Sequence, residues 1–281
     1  KDLIFGGEGT LEVVTRDILK LFPRQYQRRT LFAALADRVH VNDLYAQACA
    51  LDRGGLTAFE LVPESGVAGT VEALGVVRPL ETQAEWYLLA RFSGSSPVDE
   101  TALTFLSAAV EAGLILDAVV ADTAAQEENL WLLRDELPPE TLFDAKGAKF
   151  DAAVPIDRVA EFQRRAEVIA HDLCGPETVV FSFGHLGDGN LHMYVLESLE
   201  RGSRLQPDLI VEATRAIDSL LWEMGGTVSA EHGVGQDLLS RVAGQKSTVE
   251  LDMMRRGQER AEERRVGKEC RSRGSPSPYT K

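Results

Sequence analysis

The sequence predicts an α+β fold in which helices pack on one face of a mainly antiparallel sheet. Apolar runs of strand length, such as residues 58–62, 85–92 and 114–121, alternate with segments of helical periodicity. An Asp-Gly pair at Asp188 and Gly189 separates the last two apolar runs, and this dipeptide favours a tight turn between antiparallel strands. A chain of 281 residues, of which 44% are hydrophobic, contains enough apolar material for a packed core.

The first half of the chain is predicted to open with a strand at residues 11–15, where apolar side chains cluster. From Arg29 to about Leu51 apolar residues recur at helical spacing, and Gly54 with Gly55 provides a stop. That spacing predicts one helix over this stretch, with a break near Val41 as the alternative. The strands that follow are predicted at 58–62, 85–92 and 114–121, with a helix at 98–113 before the third.

The second half of the chain continues the same alternation. Helices are predicted at 123–137, 157–172 and 208–224, with a short helical segment at 249–256. Strands are predicted at 148–155, 178–183 and 191–197, and the Asp-Gly turn joins the last two. An alternation of this kind favours helices layered on a sheet.

The composition of the chain changes near both ends. Residues 1–23 are typical of the end of a domain rather than its beginning, and residues 24–256 contain the alternating elements. Residues 257–281 are rich in Ser, Pro, Gly and basic side chains and lack hydrophobic periodicity. Such a composition predicts a disordered tail that is atypical of the rest of the chain.

Charge and cysteine content argue against several classes of protein. The formal net charge of −14 disfavours non-specific attraction to nucleic acid or to an anionic membrane surface. No apolar stretch reaches the roughly 20 residues that a membrane-spanning helix needs, and the first residues lack a signal-peptide pattern. The cysteines show no paired spacing, which argues against a disulfide framework or a thiolate zinc site. A soluble protein of the cytoplasm is predicted, with a matrix-like reducing compartment as the alternative.

Two histidines flank the predicted tight turn, His185 and His192 of the segment GHLGDGNLH. On one straight strand they would point to opposite faces, because side chains alternate with a period of two. The turn at Asp188 and Gly189 instead allows them to lie on neighbouring strands and to converge on one divalent metal ion. The alternative is that one histidine fills a hydrogen-bonding position in the core while the other is exposed.

A second glycine-rich segment, SAEHGVGQ, places Glu231 beside His232. Glycines around this pair permit close backbone approach and unusual dihedral angles. With the two earlier histidines, Glu231 completes a His-His-Glu set that leaves coordination positions open for a substrate. Zinc is the first choice for such ligands, and manganese or iron are the alternatives. The competing interpretation is that the glycines merely serve tight turns.

Together, GHLGDGNLH and SAEHGVG resemble the paired signatures of the D-lactate and D-2-hydroxyglutarate dehydrogenase branch of the FAD-linked oxidases, which are vanillyl-alcohol-oxidase-type flavoproteins. IFGGEGTLEVVT and LWLLRDE fit the same family, so the resemblance extends from the first residues to about Arg256. It implies a ferredoxin-like cap domain at 24–256, preceded at 1–23 by a remnant of the FAD-binding domain. The implied cofactors are FAD and a divalent metal, and the implied reaction oxidises a D-2-hydroxy acid to the 2-oxo acid.

The resemblance also implies roles for individual residues. His185, His192 and Glu231 would bind the metal, and His232 would be the base near the substrate hydroxyl. Small residues allow a backbone to approach a cofactor closely. The residues that match the family's flavin-contacting turn are Gly7, Glu8, Gly9 and Thr10.

Substrate recognition is implied for two basic residues. Arg134 in LWLLRDE and Lys149 in AKFDAAVP match positions that bind the substrate carboxylate, and a guanidinium fork suits that group. Without the resemblance, each would be interpreted as one partner of a surface ion pair. Pro138 and Tyr194 stand where the 2-hydroxyglutarate enzymes of the family carry Thr and Asn. D-lactate and other 2-hydroxy acids are therefore as compatible with this pocket as D-2-hydroxyglutarate.

Two other functions are compatible with the same residues. A metal-dependent hydrolase would use the His-His-Glu set and the neighbouring histidine to activate water. A non-catalytic binding module would keep the sheet and the metal without turnover. The flavoprotein hypothesis differs from both because it predicts a small 2-hydroxy-acid anion as partner and dependence on a flavin. The sequence leaves the electron acceptor open, and it is compatible with a homodimer.

Overall fold

The fold is built on one seven-stranded sheet. The computed structural model describes residues 6–11, 14–22, 24–51, 55–94, 97–137, 146–197 and 206–265. Its strands are Gln27–Leu35 (β1), Leu56–Pro63 (β2), Trp86–Gly94 (β3), Ile115–Val120 (β4), Gly147–Ala153 (β5), Val179–His185 (β6) and Asn190–Leu196 (β7). Their order is β4-β1-β3-β2-β6-β7-β5, and each neighbouring pair is antiparallel. The predicted α+β class with a mainly antiparallel sheet is confirmed.

Helices connect and follow the strands. They lie at Val41–Leu51 (α1), Glu64–Leu74 (α2), Val98–Glu111 (α3), Ala124–Asp135 (α4), Val159–Cys174 (α5), Pro207–Glu223 (α6), Leu239–Gln245 (α7) and Thr248–Arg265 (α8). α4 starts with a capping box, in which the Thr123 side chain accepts from the Gln126 N–H and the Gln126 side chain accepts from the Thr123 N–H. Two backbone donors of the first turn are thereby satisfied, which fixes where this helix begins.

Helices cover both faces of the sheet, because successive strand residues point to opposite sides and the central strands are apolar on both. On one face, Phe92 of β3 packs against Phe105 of α3 at a ring-centroid distance of 5.7 Å. On the other, Phe32 stacks on Tyr87 at 5.0 Å, in a cluster that includes Leu130 of α4. α2 packs on α4 at this second face. The expectation of helices on a single face is therefore corrected.

The helix predicted from Arg29 to Leu51 is wrong over its first part, where residues 27–35 form β1. β1 is a central strand between β3 and β4, and each residue from Thr30 to Leu35 is buried. A strand buried on both faces has a continuous apolar run, whose positions also satisfy a helical spacing. The second part of the prediction is confirmed, since Val41–Leu51 is helical.

Three helical segments differ from the prediction. α2 and α7 were not predicted, and α2 contains Gly66 and Gly69, which disfavour a helix. Gly66 packs closely against the core, since a Cβ there would lie 2.6 Å from a methyl group of Leu137, which would have to shift. α8 continues beyond the predicted boundary at Arg256 to Arg265. Tertiary packing therefore overrides local propensity in α2.

The chain divides into two compact units. One contains residues 1–22 and 232–281, and the other contains residues 23–231, with the whole sheet and α1 to α6. In the predicted strand at 11–15, residues 12 and 13 lie outside the described residues, and Val14 and Thr15 have no strand pairing. Residues 266–281 of the predicted tail also lie outside the described residues. Among the helices that are described, none has the length and apolar character of a membrane span.

Candidate functional site

One face of the sheet carries a row of polar side chains across four adjacent strands. Glu60 on β2 is paired in register with His185 on β6, and Asp151 on β5 is paired with His192 on β7. β6 and β7 are neighbours, and His192 stands opposite Phe183, two residues before His185. Because residues two apart on a strand share a face, these side chains point to the side that α4 partly covers. The imidazole centroids of the two histidines lie 5.5 Å apart.

The turn between the two histidines fixes this arrangement. It consists of a 3-10 turn at Leu186–Asp188, closed by Gly189 with a φ of +70°. A Cβ on Gly189 would lie 2.1 Å from the carbonyl oxygen of Val154, so the position requires glycine for space as well as for conformation. The predicted tight turn at Asp188 and Gly189 is thus confirmed, and it brings the two predicted histidine ligands together.

Glu60 holds His185 and Arg134 at the same time. Its Oε1 lies 2.9 Å from Nδ1 of His185, and its Oε2 accepts from Nε of Arg134 at 3.0 Å. Nη2 of Arg134 lies 2.9 Å from Nε2 of His185. The hydrogen bond with Glu60 raises the pKa of His185, although partial burial and the charge of Arg134 act in the opposite direction. One carboxylate therefore orients an imidazole and a guanidinium.

Glu231 approaches both histidines with one carboxylate oxygen. Its Oε1 lies 3.2 Å from Nε2 of His192 and 3.6 Å from Nε2 of His185. Ligand atoms that bind a tetrahedral ion at about 2.1 Å are separated by about 3.4 Å, so both distances suit a shared metal. Two imidazoles and one carboxylate also form a donor set that zinc accepts in catalytic sites. The distances from Glu231 to each histidine are thus compatible with a shared divalent cation, and the role of the three residues as ligands stays a prediction.

Asp151 supports the trio formed by His185, His192 and Glu231. Its Oδ2 accepts from the backbone N–H of Glu231 at 2.9 Å and from that of Ala230 at 3.0 Å. Its Oδ1 accepts from Nδ2 of Asn190 at 2.9 Å and lies 3.7 Å from Nδ1 of His192. Asp151, His192 and Glu231 offer ligand atoms that lie within 4.8 Å of one another. Asp151 thus anchors the loop that brings Glu231 to the histidines.

The predicted substrate-binding residues lie on the same face. The side chain of Arg134 is 12% exposed, and its Cζ lies 5.6 Å from the ring centroid of Phe183. Lys149 and Tyr194 are paired on β5 and β7, with Nζ 5.6 Å from the ring centroid. Burial raises the pKa of Tyr194, so its hydroxyl stays protonated at neutral pH and can donate a hydrogen bond. Pro138 lies outside the described residues.

The turn matched to a flavin-contacting loop belongs to the other unit. The backbone N–H and the hydroxyl of Thr10 donate to the carbonyl oxygen of Gly7, at 2.8 and 2.6 Å. Glu8 and Gly9 both have positive φ, at +44° and +72°. The left-handed region costs a residue with a side chain more than it costs glycine, so Glu8 is held there by its surroundings. Flavin contact by these residues stays a prediction.

Glu8 is held by the loop that follows His232. Its carboxylate accepts from the backbone N–H groups of Val234, at 2.5 Å, and of Gly235, at 2.8 Å. These bonds lower the pKa of Glu8. A Cβ on Gly233 would lie 2.9 Å from Oε1 of Glu8, so the glycine makes room for the carboxylate. His232 follows Glu231 directly and is exposed, as an accessible base must be.

Sequence reasoning missed Glu60 and Asp151. Both are buried, with 5% and 7% of their surface exposed. Each is the single carboxylate within an apolar strand, in AFELV and in KFDAAV. A lone charge in such a strand is a signal for a buried and paired group, because unpaired charges are rarely buried. That signal was available, but the partners of these two residues come from other strands and loops.

The family of the chain follows from comparison with known proteins. Residues 26–258 match the family model described as FAD linked oxidases, C-terminal domain. The chain therefore belongs to the C-terminal domain family of the FAD-linked oxidases. The family resemblance of the two histidine motifs is confirmed.

Curated relatives in this family are named dehydrogenases of 2-hydroxy acids. D-2-hydroxyglutarate dehydrogenase of Stutzerimonas stutzeri is 28% identical over 91% of this chain and 54% of its own length. D-lactate dehydrogenase of Anaerostipes hadrus is 29% identical over 90% of this chain and 54% of its own length. The chain thus spans about half the length of the curated relatives that it matches.

Solved flavoenzyme structures share the fold. 4-Ethylphenol oxidase from Gulosibacter chungangensis aligns with a TM-score of 0.54 at 15% identity, over 88% of this chain and 53% of its own. p-Cresol methylhydroxylase aligns with a TM-score of 0.52 at 13% identity, over 86% of this chain and 51% of its own. At these identities the likeness shows the fold and not the substrate.

Proposed function

We propose that this chain forms the substrate-binding part of an FAD-dependent dehydrogenase that oxidises a D-2-hydroxy acid to the 2-oxo acid. The convergence of two imidazoles, one carboxylate and a guanidinium on one face of the sheet carries the proposal. This set suits a small anion with a hydroxyl beside its carboxylate, because a metal can chelate both oxygens while the guanidinium binds the carboxylate. The names of the relatives support the same substrate class.

The proposed metal ligands are His185, His192 and Glu231. Two neutral imidazoles and a carboxylate favour zinc, with manganese or iron as alternatives. A divalent cation held there lowers the pKa of the substrate hydroxyl, as it does for bound water. Glu231 contributes negative charge on the exposed side of the trio, where the substrate would enter.

The other residues of the chain bind the substrate and move its proton. His232 is the proposed base and takes the hydroxyl proton on its imidazole. Arg134 and Lys149 supply positive charge for an anion on a chain whose net charge is −14, and Tyr194 supplies a hydroxyl donor. Residues 7–10 are proposed to contact the flavin, which supplies the acceptor for the hydride that leaves the α-carbon.

The proposal also covers the compartment in which the protein acts and the partners that it binds. The unpaired spacing of the cysteines favours a reducing compartment such as the cytoplasm. The acidic net charge opposes a nucleic-acid partner. The proposed partners are a small 2-hydroxy-acid anion and an electron acceptor that reoxidises the flavin, and a homodimer is compatible with both.

Elemental analysis of the purified chain tests the metal site. We expect near-stoichiometric zinc or manganese in the unmodified chain and loss of most of it in His185→Ala and in Glu231→Ala, because each variant lacks one ligand of the trio. His171→Ala is the matched control, since His171 lies on α5 and its Nε2 contacts the carbonyl oxygen of Thr178, just before β6, at 3.1 Å. Full metal content is expected in this control.

Calorimetric titration of the metal-loaded chain tests the substrate. Binding of D-lactate or D-2-hydroxyglutarate, in preference to the L-enantiomers, is expected for the unmodified chain. Arg134→Ala should abolish it, because the guanidinium is the proposed carboxylate partner. A folded chain that takes up neither metal nor hydroxy acid contradicts the proposal. Metal-dependent hydrolysis of an ester without flavin would favour the hydrolase instead.

A further inference from the structure

Glu60 is a buried carboxylate at the centre of the site, and the proposed reaction assigns it no role. It lies on β2 with 5% of its surface exposed, where an unpaired charge would be strongly unfavourable. Each of its oxygens has its own partner: Oε1 lies 2.9 Å from Nδ1 of His185, and Oε2 lies 3.0 Å from Nε of Arg134. One carboxylate thus joins a proposed metal ligand to a proposed substrate-binding residue.

We propose that Glu60 is a positioning residue that sets the tautomer of His185 and the orientation of Arg134. The inference rests on the proposed function, because it assigns these two partners the roles given above. An ionised carboxylate only accepts hydrogen bonds, so in the neutral imidazole of His185 the proton lies on Nδ1 and is donated to Glu60. In this tautomer Nε2 carries a lone pair, which is the form of nitrogen that a metal binds.

Arg134 is compatible with the same tautomer. Its Nη2 lies 2.9 Å from Nε2 of His185 and 3.3 Å from Nδ1, and because a guanidinium only donates hydrogen bonds, the shorter contact is satisfied by a lone pair on Nε2. The same Nε2 lies 3.6 Å from Oε1 of Glu231. The hydrogen bond with Glu60 therefore leaves the unprotonated Nε2 on the side of the ring that faces Glu231.

Glu60 also fixes the guanidinium in space. It binds Nε of Arg134, and the guanidinium carbon lies 5.6 Å from the ring centroid of Phe183. Glu60 and His185 are backbone partners on adjacent strands, so their separation is set by the sheet rather than by a loop. A substrate carboxylate bound to Arg134 would consequently be placed beside the metal ligand.

The second buried carboxylate does not repeat this arrangement. Asp151 stands opposite His192, but its Oδ1 lies 3.7 Å from Nδ1 of that ring, which is too long for a hydrogen bond. Its carboxylate instead accepts hydrogen bonds from the backbone N–H groups of Ala230 and Glu231 and from Nδ2 of Asn190. Asp151 therefore holds the loop that carries Glu231, whereas Glu60 contacts the ring of His185 directly.

Nitrogen-15 chemical shifts of the histidine rings in the metal-free chain test the proposal directly. We expect the Nδ1–H form of His185 in the unmodified chain. Glu60→Gln preserves the shape of the side chain but has one acceptor oxygen, so it cannot accept from both His185 and Arg134. If its amide NH2 faces the ring, the proton moves to Nε2. The variant should therefore show the Nε2–H form or a mixture of both forms.

Zinc affinity, measured by competition with a chromophoric chelator, gives the second readout. Loss of a residue that orients a metal-ligating histidine typically weakens affinity about 10- to 100-fold, and this range is expected for Glu60→Gln. Glu127→Gln is the matched control. Glu127 is also a largely buried carboxylate, with a side chain 12% exposed, but it contacts Arg91 and Thr30 rather than the trio. Its zinc affinity should equal that of the unmodified chain.

Two results would overturn the proposal. One is an Nε2–H tautomer of His185 in the unmodified chain, which needs no variant and so holds even if Glu60→Gln fails to fold. The other is a folded Glu60→Gln variant with unchanged tautomer and unchanged zinc affinity. Because the tautomer is measured without metal, failure of the unmodified chain to bind zinc would contradict the proposed function alone, and the Nδ1–H form would still support the role of Glu60.

Discussion

At the level of single residues, two buried carboxylates determine the geometry of the site. Glu60 orients side chains, whereas Asp151 holds the backbone N–H groups of Ala230 and Glu231. Hydrogen bonds that involve an ionised group are stronger than neutral ones, and several of them are needed to offset the desolvation of a buried carboxylate. Residues with no direct part in the proposed chemistry therefore control where the reactive groups lie.

Replacement of Asp151 should destabilise the chain and displace Glu231. Asp151→Ala removes the acceptor of the Glu231 N–H and one of two acceptors for the Ala230 N–H and for Nδ2 of Asn190, so we expect the free energy of unfolding to fall by about 1–3 kcal/mol. Urea unfolding followed by circular dichroism measures this. Asp157→Ala, at an exposed aspartate, should change the value by less than about 0.5 kcal/mol. Equal effects of the two variants would contradict the anchoring role.

The sequence reveals the polar residues of turns more readily than those of strands. His185, His192 and Glu231 stand in glycine-rich segments, whose turn chemistry can be deduced locally. Glu60 and Asp151 stand within strands, where a charged residue often marks the exposed side of an alternating pattern. Their burial depends on which strands become neighbours, and in this sheet β2 lies beside β6, far along the chain. Local patterns do not contain that information.

At the level of elements, the hairpin of β6 and β7 depends on the absence of a side chain at Gly184. A Cβ there would lie 2.3 Å from the carbonyl oxygen of Asn190 and 2.9 Å from Cα of Leu191, and both are backbone atoms. Gly187 provides the matched control in the same hairpin, because the nearest atom to its Cβ would be Cε2 of Tyr45 at 3.8 Å.

We therefore expect alanine to lower the stability and zinc content of the chain at Gly184 but not at Gly187. Gly184→Ala forces the two strands apart, and overpacking of this kind costs about 1–3 kcal/mol. The thermal midpoint should fall by several degrees, and zinc content should fall as His185 moves. Gly187→Ala should retain both properties. A Gly184→Ala variant that melts and binds metal like the unmodified chain would contradict the close approach of the strands.

β1 shows why strand and helix were confused in one element. Its apolar positions, which include Leu31 and Leu35, recur at a spacing that one helix face would also give. In the sheet each residue from Thr30 to Leu35 is buried, because strands lie on both sides of β1 and helices cover both faces. The more amphipathic segments, such as α5 and α6, bury one side, and their positions were predicted correctly to within a few residues.

At the level of the whole molecule, the proposed substrate face has positive side chains although the chain as a whole is acidic. The chain has a net charge of −14, yet the proposed substrate face presents Arg134 and Lys149. At physiological salt the electrostatic attraction of such a cation is largely screened beyond about 8–10 Å. A small anion is therefore attracted only near the site. The acidic remainder of the surface disfavours polyanionic competitors such as nucleic acid.

Within one unit, Glu8 joins an early segment of the chain to the loop that follows His232. This residue is 226 positions away from Val234 in the sequence, and its carboxylate binds the N–H groups of Val234 and Gly235. Because the pKa of Glu8 is lowered, the ionised clamp is fully present above the ordinary glutamate value and is lost as pH falls through the lowered pKa. At neutral pH the clamp should hold the loop that begins at His232.

Glu8→Gln should therefore loosen that loop at neutral pH while the sheet stays intact. Its amide has one acceptor oxygen and no charge, so it cannot accept from both N–H groups as strongly. Hydrogen exchange should become several-fold faster at Val234 and Gly235 and stay unchanged in the strands of the sheet. Asp17→Asn is the control, because Asp17 accepts a local bond from the N–H of Ile18. Unchanged exchange at the loop in Glu8→Gln would show that other contacts hold it, and the flavin-matched turn would then have no part in positioning His232.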